Sequence, residues 1–362
     1  MIAISVVAEQ TIPAVLRAAA TRFGDHPAYV EGGETLSYAD LLERVRRTAA
    51  GFRERGLEPG GRVVVWGPNS IDWVVAALAT SYAGGVLVPA NSRYTGTEVA
   101  ALVDRTHAVL VVVADGFLGR TQVADLRAAS PLPTVREVIE LAHVRTVDAD
   151  PDDALDHVAT GIGADDVADI LFTSGTTGQP KGVVHTSGGY LVYAALTHEI
   201  TFDYHDGDVY WCTADIGWVT GHSYIVYGPL ANGVTQVLYE GTPDSPERGR
   251  WWDIIEQYGV TLFYTAPTAI RSFMKQGREI PDARDLSSLR TGIMAGSICP
   301  VEVMKQVRER MHIPEITICY GMTETSPVST QTRVDDPVEK RVTTVGSVHP
   351  HIEIKIVDPE TG

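Results

Sequence analysis

Between Thr11 and Val113 the sequence switches repeatedly between two hydrophobic periods, and this switching constrains the fold more than any other feature. Thr11 and Pro13 open a run with apolar residues at Val15, Leu16, Ala19 and Phe23, and Gly24 closes it, the pattern of an amphipathic helix with its own start and stop signals. Ser37-Tyr38-Ala39-Asp40 has the layout of a capping box ahead of Leu41, Leu42, Val45 and Ala49. Arg62-Val63-Val64-Val65-Trp66 is a short apolar run between glycines, which reads as a buried strand. The alternation continues with a helix over 71–82, a strand over 85–88, a helix over 97–105 and a strand over 108–113. The expected fold is α/β, a parallel sheet covered by helices.

A second α/β region is expected downstream. From Val147 to Asp166 the chain turns acidic and aperiodic, with Asp148, Asp150, Asp152, Asp153, Asp165 and Asp166 clustered, and reads as a linker whose spacing fits no calcium loop. Strands are then expected near 261–264, 291–295 and 317–320, alternating with helices near 251–258 and 300–311. In that first helix, one of Trp251 and Trp252 is expected to pack and the other to be partly exposed. The expected organisation is 1–165 for a first α/β subdomain with the acidic linker, 166–340 for a second, and 341–362 for the start of a β-rich piece. With 362 residues, 44% of them hydrophobic, the chain can bury more than one core.

A formal charge of −17 argues against a nucleic-acid partner, so any anionic small ligand has to rely on local positive potential. Cys212, Cys299 and Cys319 are scattered in apolar runs and read as buried thiols in a reducing, cytoplasmic setting. The start of the chain lacks a secretory pattern, and no apolar run is long enough to span a membrane. Oligomeric state is not legible.

Directly after the apolar Ile170-Leu171-Phe172 comes Thr173-Ser174-Gly175-Thr176-Thr177-Gly178-Gln179-Pro180-Lys181-Gly182. Glycines there let backbone N–H groups turn inward, and hydroxyls and an ammonium add donors, which together suit a polyphosphate. The order of residues is not that of a Walker loop.

This string resembles the phosphate-binding signature of the adenylate-forming enzymes, the superfamily of acyl-CoA synthetases, luciferases and peptide-synthetase adenylation domains. Three further stretches are similar to the family's motifs in the same order: Ala83-Gly84-Gly85-Val86-Leu87-Val88-Pro89, Ala295-Gly296-Ser297, and Tyr320-Gly321-Met322-Thr323-Glu324-Thr325. The stretches 212–224, 227–233 and 263–271 resemble acetyl- and propionyl-CoA synthetases, while the flanks are more like medium-chain acyl-CoA ligases.

The resemblance implies the family's N-terminal domain: two parallel-sheet subdomains with part of a small β-barrel region. It implies ATP, Mg²⁺ and coenzyme A as cofactor and co-substrates, and a small-molecule carboxylic acid as the partner. Thr173, Ser174, Gly175, Thr176, Thr177, Gly178 and Lys181 would hold the β- and γ-phosphates, and Thr323 the α-phosphate. Glu324 would take the metal, and Tyr320 would stack on adenine beside Gly321, Met322, Ala295, Gly296 and Ser297. Of these, Thr176, Lys181, Thr323 and Glu324 are the expected catalytic groups. Trp218, Val219, Thr220, Met294 and Gly321 would line the acyl pocket, with Gly321 where acetate enzymes carry a tryptophan. His185 and His222 are read as structural, since the acid is already ionised and needs no base.

The expected activity is an AMP-forming acyl-CoA synthetase of fatty acid metabolism acting on a small to medium aliphatic acid. An acetate or propionate specialist, and a nucleotide-binding fragment without turnover, stay open as alternatives. In the family the ribose-binding aspartate, the hinge and the C-terminal domain with its adenylation lysine lie beyond the position matched by Gly362. The expectation is that they are absent here and that the isolated chain makes little acyl-adenylate.

Overall fold

The computed structural model describes residues 11–173, 180–242, 245–275, 277, 279–296, 300–310, 313, 315–358, 360 and 361. The chain divides into two compact units, Met1–Thr242 and Pro243–Gly362. The fold class is α/β, with sheets dominated by parallel pairing, as the hydrophobic periods imply.

The first unit contains β1 (Pro27–Glu31), β2 (Glu34–Ser37), β3 (Arg62–Trp66), β4 (Val86–Ala90), β5 (Leu110–Val113), β6 (Glu137–Glu140), β7 (Val167–Thr173), β8 (Lys181–Thr186), β9 (Val209–Cys212) and β10 (Thr235–Val237). One sheet has the order β6-β5-β3-β4-β7-β8, parallel throughout except for the antiparallel pair β7–β8. Val63, Val64, Val65 and Val111 are fully buried, which explains the unbroken apolar runs: both faces are covered. The order reverses around β3 and β4, so their carboxyl ends flank a topological switch point, where open α/β sheets place ligands. A second sheet runs β9-β10-β1-β2, with only β1–β2 antiparallel.

Helix starts follow the sequence signals with one variation. Ser37 Oγ accepts from the Asp40 N–H, Ser70 does the same for Trp73, and Thr95 with Glu98 forms a full capping box. Helix Ile12–Phe23 begins after Thr11, whose side chain makes no cap bond, and ends at Gly24 with φ 41°.

The acidic stretch is not a bare linker. Residues Asp153–Gly161 form a helix capped by Asp152, which accepts from the Leu155 N–H. Leu155 and Ala159, one turn apart, are its buried residues, while acids of the stretch meet arginines of helix Tyr38–Glu54: Arg46 pairs with Asp156 of the helix, and Arg47 with Asp148 and Asp150 ahead of it. The helix is only nine residues long, and the compensating cations lie some hundred positions upstream.

The second unit holds β11 (Leu262–Thr265), β12 (Thr291–Met294), β13 (Glu315–Gly321), β14 (Val328–Gln331) and β15 (Ser347–Val348). The first three pair in parallel, and β14 and β15 add antiparallel strands beside β13. Trp251 and Trp252 on helix Arg250–Tyr258 are both buried, against the expectation that one would face outward. Phe273 takes both, with ring centroids 5.1 and 4.8 Å away, and Phe263 also meets Trp251. Among the described residues no helix is long and apolar enough to cross a membrane.

Candidate functional site

The phosphate-loop motif sits at the mouth of the β7–β8 hairpin, where Thr173 and Lys181 are paired across the ladder. Ser174, Gly175, Thr176, Thr177 and Gly178 lie outside the described residues. Lys181 is exposed. The loop returns into a strand, so a phosphate held there draws on hydroxyls, the ammonium and local N–H groups rather than on a helix terminus. Arg105 braces the exit: its guanidinium donates to the Pro180 carbonyl and lies 4.9 Å from the centroid of the Phe172 ring. In a chain of net charge −17, Lys181 and Arg105 are two cations placed at this end of the hairpin.

Residues 214–221 cross the carboxyl ends of β3 and β4, the switch point of the sheet. Asn69, just after β3, donates to the Ala214 carbonyl at 2.8 Å and accepts from the Ile216 N–H at 2.9 Å. Asp215 accepts from the Gly217 N–H, from the Ser92 N–H and from the Ser92 hydroxyl just past β4. Burial pushes the Asp215 carboxyl above its usual range, and these donors pull the other way. Glycine is required twice because the backbone approaches so closely: a Cβ on Gly217 would meet the Ala90 carbonyl oxygen at 2.2 Å, and one on Gly221 the Asp215 carbonyl oxygen at 2.1 Å. Held this way, Trp218 projects with 52% of its surface exposed, beside half-buried Val219 and Thr220.

The chain then winds into a π-helical turn, His222–Tyr227. His222 is fully buried and lies 3.1 Å through Nε2 from Asp169 of β7, and the Tyr227 hydroxyl donates to the same carboxylate at 2.9 Å. His185 is buried and stacks on Tyr190 at 4.4 Å, so both histidines are built into the core, as their structural reading implies.

In the second unit Met294 ends β12 and is buried, and the Ala295 N–H donates to the Thr265 carbonyl. Gly296 has φ 85°, in the left-handed region, and Ser297 lies outside the described residues. At the end of β13 a bulge between Tyr320 and Gly321 breaks the register with β14. The Met322 N–H donates to the Pro327 carbonyl at 2.9 Å and to Thr325 Oγ1 at 3.0 Å, closing a tight turn. That turn presents Tyr320, Gly321, Met322 and Glu324 to solvent, with Thr323 half-buried. A Cβ on Gly321 would stand 1.6 Å from the Pro327 carbonyl oxygen, so any side chain there, tryptophan included, demands a shifted backbone.

Sequence reading located the motif residues but missed those that hold them: Asn69, Ser92, Arg105, Asp169, Asp215 and Tyr227. One signal was available, since Asp169 is a lone acid inside an otherwise apolar strand.

No cluster of three or more His, Cys, Asp or Glu suited to a metal occurs among the described residues. Among the described residues of the phosphate and nucleotide motifs, Glu324 is the one carboxylate. That donor set fits Mg²⁺ carried in by a triphosphate, which keeps phosphate and water ligands, and not a metal caged by protein.

A family model described as AMP-binding enzyme matches residues 16–362. Among curated relatives, the acetyl-coenzyme A synthetase of Streptomyces coelicolor is 44% identical over 285 residues, covering 72% of this chain and 43% of its own length. The enzymes of the same name from Deinococcus radiodurans and Mycolicibacterium smegmatis are 42% and 40% identical, covering 74% and 78% of this chain but 45% and 32% of their own. The chain thus spans less than half the length of these relatives.

Proposed function

The chain belongs to the AMP-binding enzyme family, and from that premise we propose that it serves an acyl-CoA synthetase reaction on a small to medium aliphatic acid. The acid's carboxylate oxygen attacks the α-phosphorus of ATP, pyrophosphate leaves, and the thiol of coenzyme A then displaces AMP from the acyl-adenylate. The observation that carries this reading is the pairing of Thr173 with exposed Lys181 at the mouth of a hairpin whose sequence is the family's phosphate motif.

The obstacle to the first step is electrostatic, since an anionic acid has to approach an anionic triphosphate. Lys181, with Thr176 and the other residues of 173–178, serves the β- and γ-phosphates; Thr323 serves the α-phosphate. Glu324 would hold Mg²⁺ bound with the nucleotide, and the metal would supply charge neutralisation at the phosphates. Exposed Tyr320 offers its ring to adenine beside Gly321, Met322, Ala295, Gly296 and Ser297. Trp218, Val219, Thr220 and Met294 serve the acyl chain. A cytoplasmic setting belongs to the proposal and is supported by Cys212 and Cys319, buried free thiols whose pKa values burial raises, to about 12 for Cys212.

A narrower reading, an acetate or propionate specialist, is favoured by the names of the relatives at 40–44% identity. Acid-dependent exchange of labelled pyrophosphate into ATP, run from acetate to octanoate, separates the two. Each added methylene that finds apolar space is worth about 0.8 kcal/mol, roughly fourfold in kcat/KM. A rise through butyrate or hexanoate supports the broader reading, and a maximum at acetate or propionate the narrower. Calorimetric titration with Mg·ATP tests the nucleotide assignment itself. No heat at millimolar nucleotide, in protein shown to be folded, overturns it; binding without exchange by any acid leaves a nucleotide-binding protein.

A further inference from the structure

The buried Asp169 carboxylate has no part in the reaction above, yet it accepts from two residues that an ordinary helix would not bring to it. It is fully inaccessible, and it bonds to the Tyr227 hydroxyl through both oxygens at 2.9 Å and to His222 Nε2 at 3.1 Å. These two residues open and close the π-helical turn. On an α-helix, positions five apart point about 140° away from each other. In a turn closed by i→i+5 bonds they lie within roughly 50°, so one acceptor reaches both. The π register and the pair of hydrogen-bond partners that Asp169 holds, His222 and Tyr227, therefore go together.

Asp169 also belongs to the strand that delivers the phosphate motif. It lies four residues before Thr173 on β7, on the same face by the two-residue period of a strand. At the other end of the contact, the His222 N–H donates to the Trp218 carbonyl at 2.7 Å, so the turn's register sets where Trp218, Val219 and Thr220 sit. The turn is also held from behind, where the Ile225 carbonyl accepts from Tyr29 and from Gln236. A shift of this turn to the α register would swing His222 and Tyr227 apart and carry segment 218–220 with it, which is the two-state behaviour that coupling between sites requires.

We propose that Asp169 is a positioning residue: it selects the π register of 222–227 and so ties segment 218–220 to the strand of the phosphate hairpin, coupling occupancy of one to occupancy of the other. The coupling part rests on the function proposed above; the structural tie does not.

The test uses Tyr227→Phe, which deletes the hydroxyl that contacts both Asp169 oxygens and leaves the His222 contact, against Tyr190→Phe. Tyr190 is equally buried in the same cluster but bonds Ser223, not Asp169. Amide hydrogen exchange on ligand-free protein is the first readout. Tyr227→Phe should raise exchange at least tenfold both at 218–222 and in β8 near Lys181, and Tyr190→Phe should leave β8 within twofold of the parent. Exchange confined to the turn, or the same pattern in both variants, overturns the tie.

The second readout is the factor by which saturating butyrate tightens binding of Mg²⁺ with the non-hydrolysable α,β-methylene analogue of ATP. The parent should show fivefold or more. Tyr227→Phe should fall below twofold while binding the analogue alone as the parent does, and Asp169→Asn should behave alike if it folds. Retained coupling in Tyr227→Phe overturns the proposal, as does a parent that binds both ligands without coupling. A parent that binds no nucleotide defeats the function proposed above and leaves the exchange result to decide the tie.

Discussion

Residues 214–227 of the first unit and 320–327 of the second both carry family motifs, and they are held in opposite ways. The first stretch is fixed by buried side chains, with Asp215, Asn69 and Asp169 each bonding across more than fifty residues of sequence. The second closes on itself through Met322, Thr325 and Pro327 and shows Tyr320, Met322 and Glu324 to solvent. A substitution among the pinning residues of the first is therefore expected to perturb folding, whereas one at the exposed Tyr320, Met322 or Glu324 of the second is expected to have little effect on stability.

Glycine replacement should give the largest contrast. Gly217→Val drives a side chain into the Ala90 backbone and should cost at least about 4 kcal/mol, leaving little folded protein. Gly296→Ala meets nothing within 4 Å and bears only the strain of its positive φ, about 1 kcal/mol. Thermal unfolding of the two variants checks this, and equal losses would break the comparison.

Asp215→Ala should come next. It strands the Ser92 hydroxyl and two N–H groups in a buried place, at a cost of about 2–4 kcal/mol, and frees Trp218 to shift. The expected result is a lower midpoint of urea unfolding together with an altered acid-length profile in pyrophosphate exchange. Glu324→Gln and Lys181→Ala should invert that pattern, with melting temperature within about a degree of the parent and Mg·ATP affinity down roughly tenfold or more.

Much of the architecture was legible because these elements announce their ends. The glycines bracketing β3 and the Ser37–Asp40 box put the observed limits within a residue or two of those expected. What stayed hidden depends on partners far away in sequence. Helix Asp153–Gly161 has a weak apolar face and leans on Arg46. Trp252 is inward because Phe273 receives it. A π turn has no sequence period of its own, and Asp169 becomes intelligible only once Tyr227, fifty-eight residues on, is beside it. At the candidate site, the motifs pointed mainly to residues displayed to solvent, such as Lys181, Trp218, Tyr320 and Glu324, and were silent about those beneath.

A titration would sharpen the comparison further. Burial, ahead of the neighbouring Asp72 and Glu240, pushes Glu31 in the first unit up to about 7 from an ordinary 4.5, despite the Ile71 N–H that it accepts. Between those two values the folded protein holds a proton that the unfolded chain has released. The stability from this group is full below pH 4.5 and is lost as pH rises to 7. Glu31→Gln should flatten that decline by about 1–3 kcal/mol between pH 5 and 8, read from urea midpoints.

The smallest effect is expected on the surface of the first unit. Arg46 and Asp156 are both partly exposed, so Arg46→Ala should cost less than about 1 kcal/mol, and less again in high salt, as a series of unfolding curves would record.

The tryptophans hold a practical consequence of the way residues 214–221 are pinned. The sequence has six, at 66, 73, 211, 218, 251 and 252, and five of them are no more than 4% exposed, while Trp218 stands at 52%. A collisional quencher such as acrylamide in the surrounding water therefore extinguishes the emission of Trp218 and leaves the other five nearly untouched. The protein carries a native optical probe on the segment assigned to the acyl chain, and ligand arrival there should be visible as light shielded from quenching, with no label attached.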